Sequence, residues 1–398
     1  MKKICLIATY SIVMLLGLVG CGMKTTPQNT TTESTVKLVV KDVEPAEENA
    51  QHDVTTGDSS IETGGTEEKV SIPYDIESVE VEDHRTAYEY TFNPCVISEE
   101  LASRYDKKVI ECYFEFCEAV YAGDDSFYCP DYDTFLQVNA IACLCHPLYE
   151  QFIDLSESDE DTAIDNRYPI AYTLPKDEYM EKLKAFKEEV SHIITSTLQE
   201  GDTELEKAIK LYSYIGKNMK YDYDLYEYII SGDYDESQFN RFTQDGLEPS
   251  PYRALIWKEG ICDELASAYS YLLLQVGVEA VDVDGEMGFN HEWNMVRIDD
   301  VYYHVDPTAQ VANDNFALCC FAVSTEYFIE LNEVNSESIM ICGATGLIEN
   351  TKFQNDSRFE SLGYSNQYEI DHENRIIYYM HDVLEGEFYV PKVGEYMY

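Results

Sequence analysis

Apolar residues recur at helical spacing in several stretches of this chain. Leu101, Tyr105, Val109, Cys112 and Phe116 form one stripe, which predicts an amphipathic helix over Glu99–Val120. A second helix is predicted over Tyr132–Leu148. A short strand, Tyr168–Tyr172, precedes Pro175, whose fixed φ suits the first turn of a helix running to Thr197. Thr203 with Glu206 makes a capping box for a helix through Met219. After Cys262, the residues Leu265, Tyr269, Leu272, Leu273 and Val276 keep the same period, and Gly277 follows as a C-terminal stop.

The period then shortens to two. Glu292–Ile298 and Val301–Val305 are β-prone runs separated by Asp299-Asp300. A two-residue turn sets Ile298 opposite Val301 and Trp293 opposite Asp306. Successive side chains alternate faces, so His291 and Asp306 share a face as diagonal neighbours, with Cβ atoms about 7 Å apart. One more residue in the turn would put them on opposite faces. Phe316–Val323 reads as another buried strand. Tyr364–Tyr398 mixes aromatic, polar and turn residues and reads as a β-rich piece that protects a sheet edge or, alternatively, binds a partner. The expected class is α+β. Residues 84–200 make a mostly helical N-terminal region, 201–330 a catalytic domain in which a helix packs on an antiparallel sheet, and 331–398 a β-rich C-terminal tail.

The first residues add a location. Lys2 and Lys3 precede an apolar run from Ile4 that is short for a bilayer span. It ends in Leu18-Val19-Gly20-Cys21, which resembles the lipobox of bacterial lipoproteins. That resemblance implies a signal peptide over 1–20, cleavage before Cys21 and lipid attachment at Cys21. Residues 21–83 are rich in Thr, Glu, Ser, Asp and Pro, with Tyr74 as the only aromatic, and read as a disordered tether. The folded part is expected at the cell membrane, lipid-anchored and facing the extracellular side.

Charge and cysteine content narrow the partners. Seventy-six Asp+Glu against 27 Lys+Arg give a net charge of −49, which excludes nucleic-acid phosphate as a natural partner and keeps the surface solvated. Of 12 cysteines, Cys5 leaves with the signal and Cys21 carries lipid. Cys95, Cys112, Cys117, Cys129, Cys143, Cys145, Cys262, Cys319, Cys320 and Cys342 remain. With Cys262 set aside an odd number is left, so at least one other thiol has no intrachain partner. Cys143-Leu144-Cys145-His146 has ligand residue types but no second pair, and reads as small residues on an apolar helix. No metal and no organic cofactor are expected.

The chemistry concentrates in Gly260-Ile261-Cys262, Asn290-His291-Glu292-Trp293-Asn294 and His304-Val305-Asp306-Pro307-Thr308. They supply a thiol, an imidazole and a carboxylate. A cysteine nucleophile needs a base, and the base needs a group that orients its ring. Cys262 opens a helix, where unpaired N–H groups favour a thiolate and could hold an oxyanion. His304 shares the Asp306 face but lies opposite Met295, further from Cys262. Cys319-Cys320 is a second thiol site without a paired base. Asp263 and Glu264 are expected as solvated first-turn acids. The tyrosines from Tyr221 to Tyr234 could border a cleft.

Trp257-Lys-Glu-Gly-Ile-Cys262, His291-Glu-Trp293-Asn294 and Tyr302-Tyr303-His304-Val305-Asp306-Pro307-Thr308 together resemble the transglutaminase-like superfamily of papain-type thiol enzymes. Ala208–Tyr223 resembles the helix and tyrosine–aspartate turn that precede the catalytic helix there. The likeness runs over roughly Thr203–Phe328. It implies Cys262 as nucleophile, His291 as base and acid, and Asp306 as the orienting carboxylate. Glu292 departs from the pattern, where a small residue is common, and should point away from His291. Trp257, Tyr252 and Trp293 are candidates for the oxyanion site or cleft. The expected function is a surface-anchored thiol enzyme acting on peptide or glutamine amides through a Cys262 thioester. Resolution by water gives a protease or amidase; resolution by an amine gives protein crosslinking. Its partner would be a protein or peptide substrate, cell-wall peptide included. The rival is a non-catalytic binding or adhesin module on the same fold.

Overall fold

The fold, taken from a computed structural model, is described for residues 86–155, 158–231, 250–313, 316–336, 338–342, 356–385 and 388–398. The signal segment, Cys21, the tether and Tyr234 lie outside those residues. No helix among the described residues is long and apolar enough to cross a membrane.

The single helix expected over Glu99–Val120 is two: α1 (Glu99–Ala102) and α2 (Lys107–Ala122). Asp106 takes an extended backbone as the N-cap of α2 and breaks the run. Then come β1 (Ser126–Tyr128), α3 (Tyr132–Cys145), α4 (Tyr149–Phe152) and β2 (Ile153–Asp154). α3 ends before the expected Leu148 because His146 is extended. The expected strand Tyr168–Tyr172 changes partner midway. β3 (Arg167–Pro169) pairs with β1, and β4 (Ala171–Tyr172) pairs with β2. Pro169 has no N–H to donate, which suits a break there.

α5 (Lys176–Thr197) takes Pro175 as its N-cap. α6 (Glu204–Asn218) carries the capping box: Glu206 N donates to Thr203 Oγ1 at 3.3 Å and Thr203 N to Glu206 Oε2 at 2.7 Å. β5 (Lys220–Tyr221), α7 (Tyr223–Ser231), α8 (Pro251–Trp257), β6 (Glu259–Gly260) and α9 (Cys262–Gln275) follow. Gly277, at φ 76°, closes α9 as predicted. β7 (Ala280–Glu286), β8 (Asn290–Ile298), β9 (Val301–Val305), α10 (Pro307–Val311), α11 (Thr325–Asn332) and β10 (Met340–Ile341) complete the central part.

β10-β7-β8-β9 is an antiparallel sheet covered on both faces. Period-two alternation divides its side chains between two cores. Ala280, Val296, Ile298, Val301, Tyr303 and Val305 join the core shared with α6 and α9. Val281, Val283, Trp293, Met295 and Tyr302 join a second core with Phe328, Val334 and Ile341. Asn294 Nδ2 fastens the sheet to α9 by donating to Ala266 O at 2.9 Å. This is an α+β fold with a helix packed on an antiparallel sheet.

Two expectations near the C-terminus are corrected. Phe316–Val323 is buried from Leu318 onward but is no strand, because Cys320 (φ 57°) and Ala322 (φ 51°) are left-handed and break the extended run. Its backbone bonds instead go to Ser365, Gly363 and, at Val323, His304. The tail does form β11 (Gln367–Asp371), β12 (Ile376–Glu385) and β13 (Phe388–Met397), but as a separate antiparallel sheet that covers no edge of the central one. It docks on α6. Tyr368 and Ser213 hydroxyls meet at 2.5 Å, and buried Glu206 accepts from Arg375 Nη1 at 2.7 Å and faces His372 Nδ1 at 2.6 Å. Asp202 beside them accepts from Lys210 Nζ at 2.5 Å, so cations already balance this acidic cluster.

Gly285 sits under Trp293, and a Cβ there would lie 2.6 Å from Trp293 Cη2. Gly285→Ala should therefore cost about 1–3 kcal/mol by overpacking, read as a lower urea midpoint at unchanged m-value. An unmoved midpoint would show that the indole yields without cost.

Candidate active site

The hairpin turn is two residues long. Asp299 (φ 50°) and Asp300 (φ 62°) are both left-handed, the backbone that a tight hairpin turn with native twist requires. Ile298 pairs with Val301, Met295 with His304 and Asn294 with Val305. His291 and Asp306 thus project to one face, and His291 Nε2 lies 2.9 Å from Asp306 Oδ2.

Asp306 is also the N-cap of α10. Its Oδ1 accepts from the amides of Thr308 (2.9 Å) and Ala309 (3.3 Å), which leaves Oδ2 aimed at the imidazole. The backbone is held as well. Asp306 N donates to Cys320 O, and the Tyr212 hydroxyl of α6 lies between the carbonyls of Asp306 (2.6 Å) and Cys319.

Cys262 is the first residue of α9 and His291 the second of β8, and the two starts meet in a thiol–imidazole hydrogen bond. With Nε2 taken by Asp306, the ring meets the sulfur through Nδ1. Burial alone would lower the His291 pKa; the Asp306 carboxylate and the Cys262 contact reverse this and raise it to about 10. Cys262 is partly exposed, whereas His291 and Asp306 are buried.

The segment before Cys262 is set by a buried ion cluster that was not anticipated. Arg253, 0% exposed, donates through Nη1 to Glu264 Oε2 at 2.6 Å and through Nη2 to Asp222 Oδ2. Glu264 accepts from Ile261 N at 3.0 Å and Ser250 N at 3.1 Å, and Asp222 Oδ1 accepts from Leu225 N at 2.9 Å. One guanidinium therefore ties the starts of α7, α8 and α9. The short parallel pair β5–β6 adds Lys220 N to Lys258 O and Asp222 N to Gly260 O. Glu264 is not a solvated first-turn acid. Burial pushes its carboxyl up to about 7, and Arg253 and the Ile261 amide pull against that.

The other nominated residues separate clearly. Trp293 is 0% exposed and gives its indole N–H to His304 Nδ1 at 2.8 Å, so it lines no cleft and has no donor left for an oxyanion. Tyr252 is buried against Phe152 and Phe186, in the core. Trp257 lies under the Arg253 guanidinium, 5.2 Å from its ring centre. His304 is sealed between Trp293 and Thr325, and burial lowers its pKa to about 3. Glu292 points away from His291 towards Asp282 and Cys342, and burial, followed by the charges of Asp282 and Asp263, raises its carboxyl well above its ordinary value. Tyr221 and Tyr226 do stand near Cys262, which with burial raises both phenol pKa values. Phe289, which no sequence signal marked, stands edge-on to the His291 ring at 5.8 Å and is 43% exposed.

A family model described as a transglutaminase-like domain matches residues 188–320. The match to that transglutaminase-like model spans about a third of the chain. The matched segment opens inside α5 and closes at Cys320, and it contains Cys262, His291 and Asp306. Two solved structures resemble the chain. One is a TGase, 13% identical, with 39% of this chain covering 37% of that one at a TM-score of 0.28. The other is a candidate cysteine protease from Cytophaga hutchinsonii, 15% identical, with 33% of this chain covering 38% of that one at a TM-score of 0.22. This chain thus spans under two fifths of either. No curated protein matches it.

Two outcomes follow for the matched segment. Arg253→Met strands two buried carboxylates and should cost about 3–5 kcal/mol in chemical denaturation. Adding Glu264→Gln to it should restore part of that; loss of under 1 kcal/mol in the single variant would show the cluster to be hydrated. His291 has a folded pKa above its unfolded ~6.5, so its stabilisation is full below that value and is lost as pH rises through about 10. The denaturation midpoint of the wild type should therefore fall more steeply from pH 7 to 10 than that of His291→Gln. Parallel slopes would place the proton elsewhere.

Proposed function

We propose that this transglutaminase-like chain is a thiol enzyme that cleaves or transfers peptide or glutamine amides through a Cys262 thioester. The observation that carries the reading is the unbroken hydrogen-bonded run from Cys262 to His291 to Asp306. Charge can develop at the sulfur because the imidazole takes its proton, and the imidazolium is matched by Asp306.

The Cys262 sulfur attacks the substrate carbonyl carbon. The amide of Cys262, at the first helical position, belongs to the set that finds no partner within a helix and suits a donor to the oxyanion. His291 returns its proton to the departing nitrogen, the C–N bond breaks, and a thioester remains. Water or a primary amine then attacks the thioester and releases Cys262. Asp306 keeps the ring in the tautomer that faces Nδ1 towards the sulfur. Tyr226 near Cys262 and Phe289 at His291 offer aromatic surface beside the pair, and Tyr223 (60% exposed) stands against Tyr221, which suits a peptide more than a small polar amide. The reading includes attachment by lipid at Cys21, with the domain on the outer face of the cell membrane.

Glutaminyl peptides with and without an added primary amine separate the two fates: ammonia release alone reports hydrolysis, and amine incorporation reports transfer. Cys262→Ala should abolish both, and Asp306→Asn should lower kcat/KM by about 10²- to 10⁴-fold with the fold intact. At pH about 6, iodoacetamide should label Cys262 ahead of the other thiols. Turnover that survives Cys262→Ala would overturn the proposal.

A further inference from the structure

All ten described cysteines are thiols in this structure. Among them the sulfurs of Cys95 and Cys117 touch in a hydrogen bond, and so do those of Cys112 and Cys129. Both contacts fall on α2, far in sequence from Cys262, and neither takes part in the chemistry above.

The two pairs differ in access. Cys95 precedes α1 and is partly exposed, and its sulfur also reaches Phe114 O at 3.8 Å. Cys117, behind it, is 0% exposed. Cys112 and Cys129 are both sealed. The electronics follow the same division. The Cys117 thiol donates to the Cys95 sulfur and holds the Cys95 pKa below its ordinary value, against the effect of burial. Burial raises Cys112, Cys117 and Cys129. A thiol that is both reachable and acidified is the one that enters exchange, and a second thiol in contact resolves it.

We propose that Cys95 and Cys117 form a thiol–disulfide exchange site that accepts a small-molecule disulfide and closes into an intrachain bond. The Cys95 thiolate attacks one sulfur of the small disulfide, and the first small thiolate leaves. Cys117 then attacks the Cys95 sulfur of the mixed disulfide. The second small thiolate departs and takes the Cys117 proton. Two protein thiols are oxidised by two electrons, and one disulfide is reduced to two thiols. The closed bond would join the segment before α1 to the middle of α2. The neighbouring α2 residue Tyr121 meets Tyr271 of α9, hydroxyl to hydroxyl, at 3.3 Å. Nothing in this site depends on Cys262 being a nucleophile.

The test treats the folded full chain with oxidised glutathione, quenches it with iodoacetamide and maps the peptides by mass spectrometry. The expected product is a crosslinked Cys95–Cys117 peptide, lighter by two hydrogens, while Cys112 and Cys129 remain alkylatable only after unfolding. Cys117→Ser should halt at a glutathione adduct on Cys95, and Cys95→Ser should leave Cys117 as a thiol. Adduct formation at Cys262 alone would overturn the proposal. So would a wild-type Cys95 adduct that persists without passing to Cys117, or closure of Cys112–Cys129 at the same rate.

Discussion

The arrangement around Cys262 depends on the phase of one hairpin. Asp299 and Asp300 both hold left-handed backbone, and no third residue enters the turn. Aspartate tolerates that conformation better than most residues, since its short side chain can bond locally. From this turn outward the side chains of β8 and β9 are committed. Val296, Ile298, Tyr303 and Val305 go to the α6–α9 side, and Trp293, Met295 and Tyr302 go to the other. A slip of one residue would drive a full set of apolar groups into the wrong core, at about 1.5–3 kcal/mol for each one exposed. Many hydrophobic contacts therefore hold one polar contact in place. The 2.9 Å approach of His291 to Asp306 is set by packing several residues away, and its own strength need not fix it.

A second constraint is electrostatic. This chain has far more acids than bases, and two of its carboxylates, Asp222 and Glu264, converge behind the start of α9. Unit charges about 4 Å apart interact by about 4 kcal/mol at an effective dielectric near 20. Left alone, the pair would repel and would also disfavour charge on the sulfur beside them. Arg253 resolves this with a planar fork that bonds both acids at once, which a lysine could not match. Glu264 then serves a further purpose as acceptor for Ile261 N, one residue ahead of Cys262. The cost of burying three charges is met by hydrogen bonds at each of them, the condition under which such clusters are tolerated.

What could be read from the sequence was whatever rests on local signals. The Thr203–Glu206 box, the helix from Cys262 stopped by Gly277, and the hairpin register all follow from spacing within one or two turns of chain. The misreadings share a different origin. Glu264 looked solvated because its partner, Arg253, lies on another helix and an apolar setting does not advertise a cation. Trp293 and Tyr252 looked available for a cleft because aromatic rings suit rims and cores alike. Phe316–Val323 has strand composition, yet its backbone is claimed by Ser365, Gly363 and His304, contacts that no window of sequence contains. Phe289 gave no sign at all, since a lone exposed aromatic in a loop is ordinary.

The two histidines of the hairpin show how little separates a buried neutral ring from one that holds its proton. His291 and His304 share residue type, sheet face and deep burial. Burial disfavours the charged form of both. His304 hydrogen-bonds to neutral groups, the Trp293 indole N–H and the Thr325 hydroxyl, and desolvation lowers its pKa to about 3. Since Nδ1 accepts from the indole, its proton sits on Nε2, towards Thr325, and the ring has no lone pair to offer a thiol. His291 meets the one oxygen of Asp306 that the α10 amides leave unclaimed, and its pKa rises to about 10. The difference is made chiefly by one carboxylate oxygen, which a helix cap leaves aimed at His291, with the Cys262 contact adding to it. Proline at position 307 favours that aim, because it starts α10 immediately and turns the chain out of the strand as soon as Asp306 has left it.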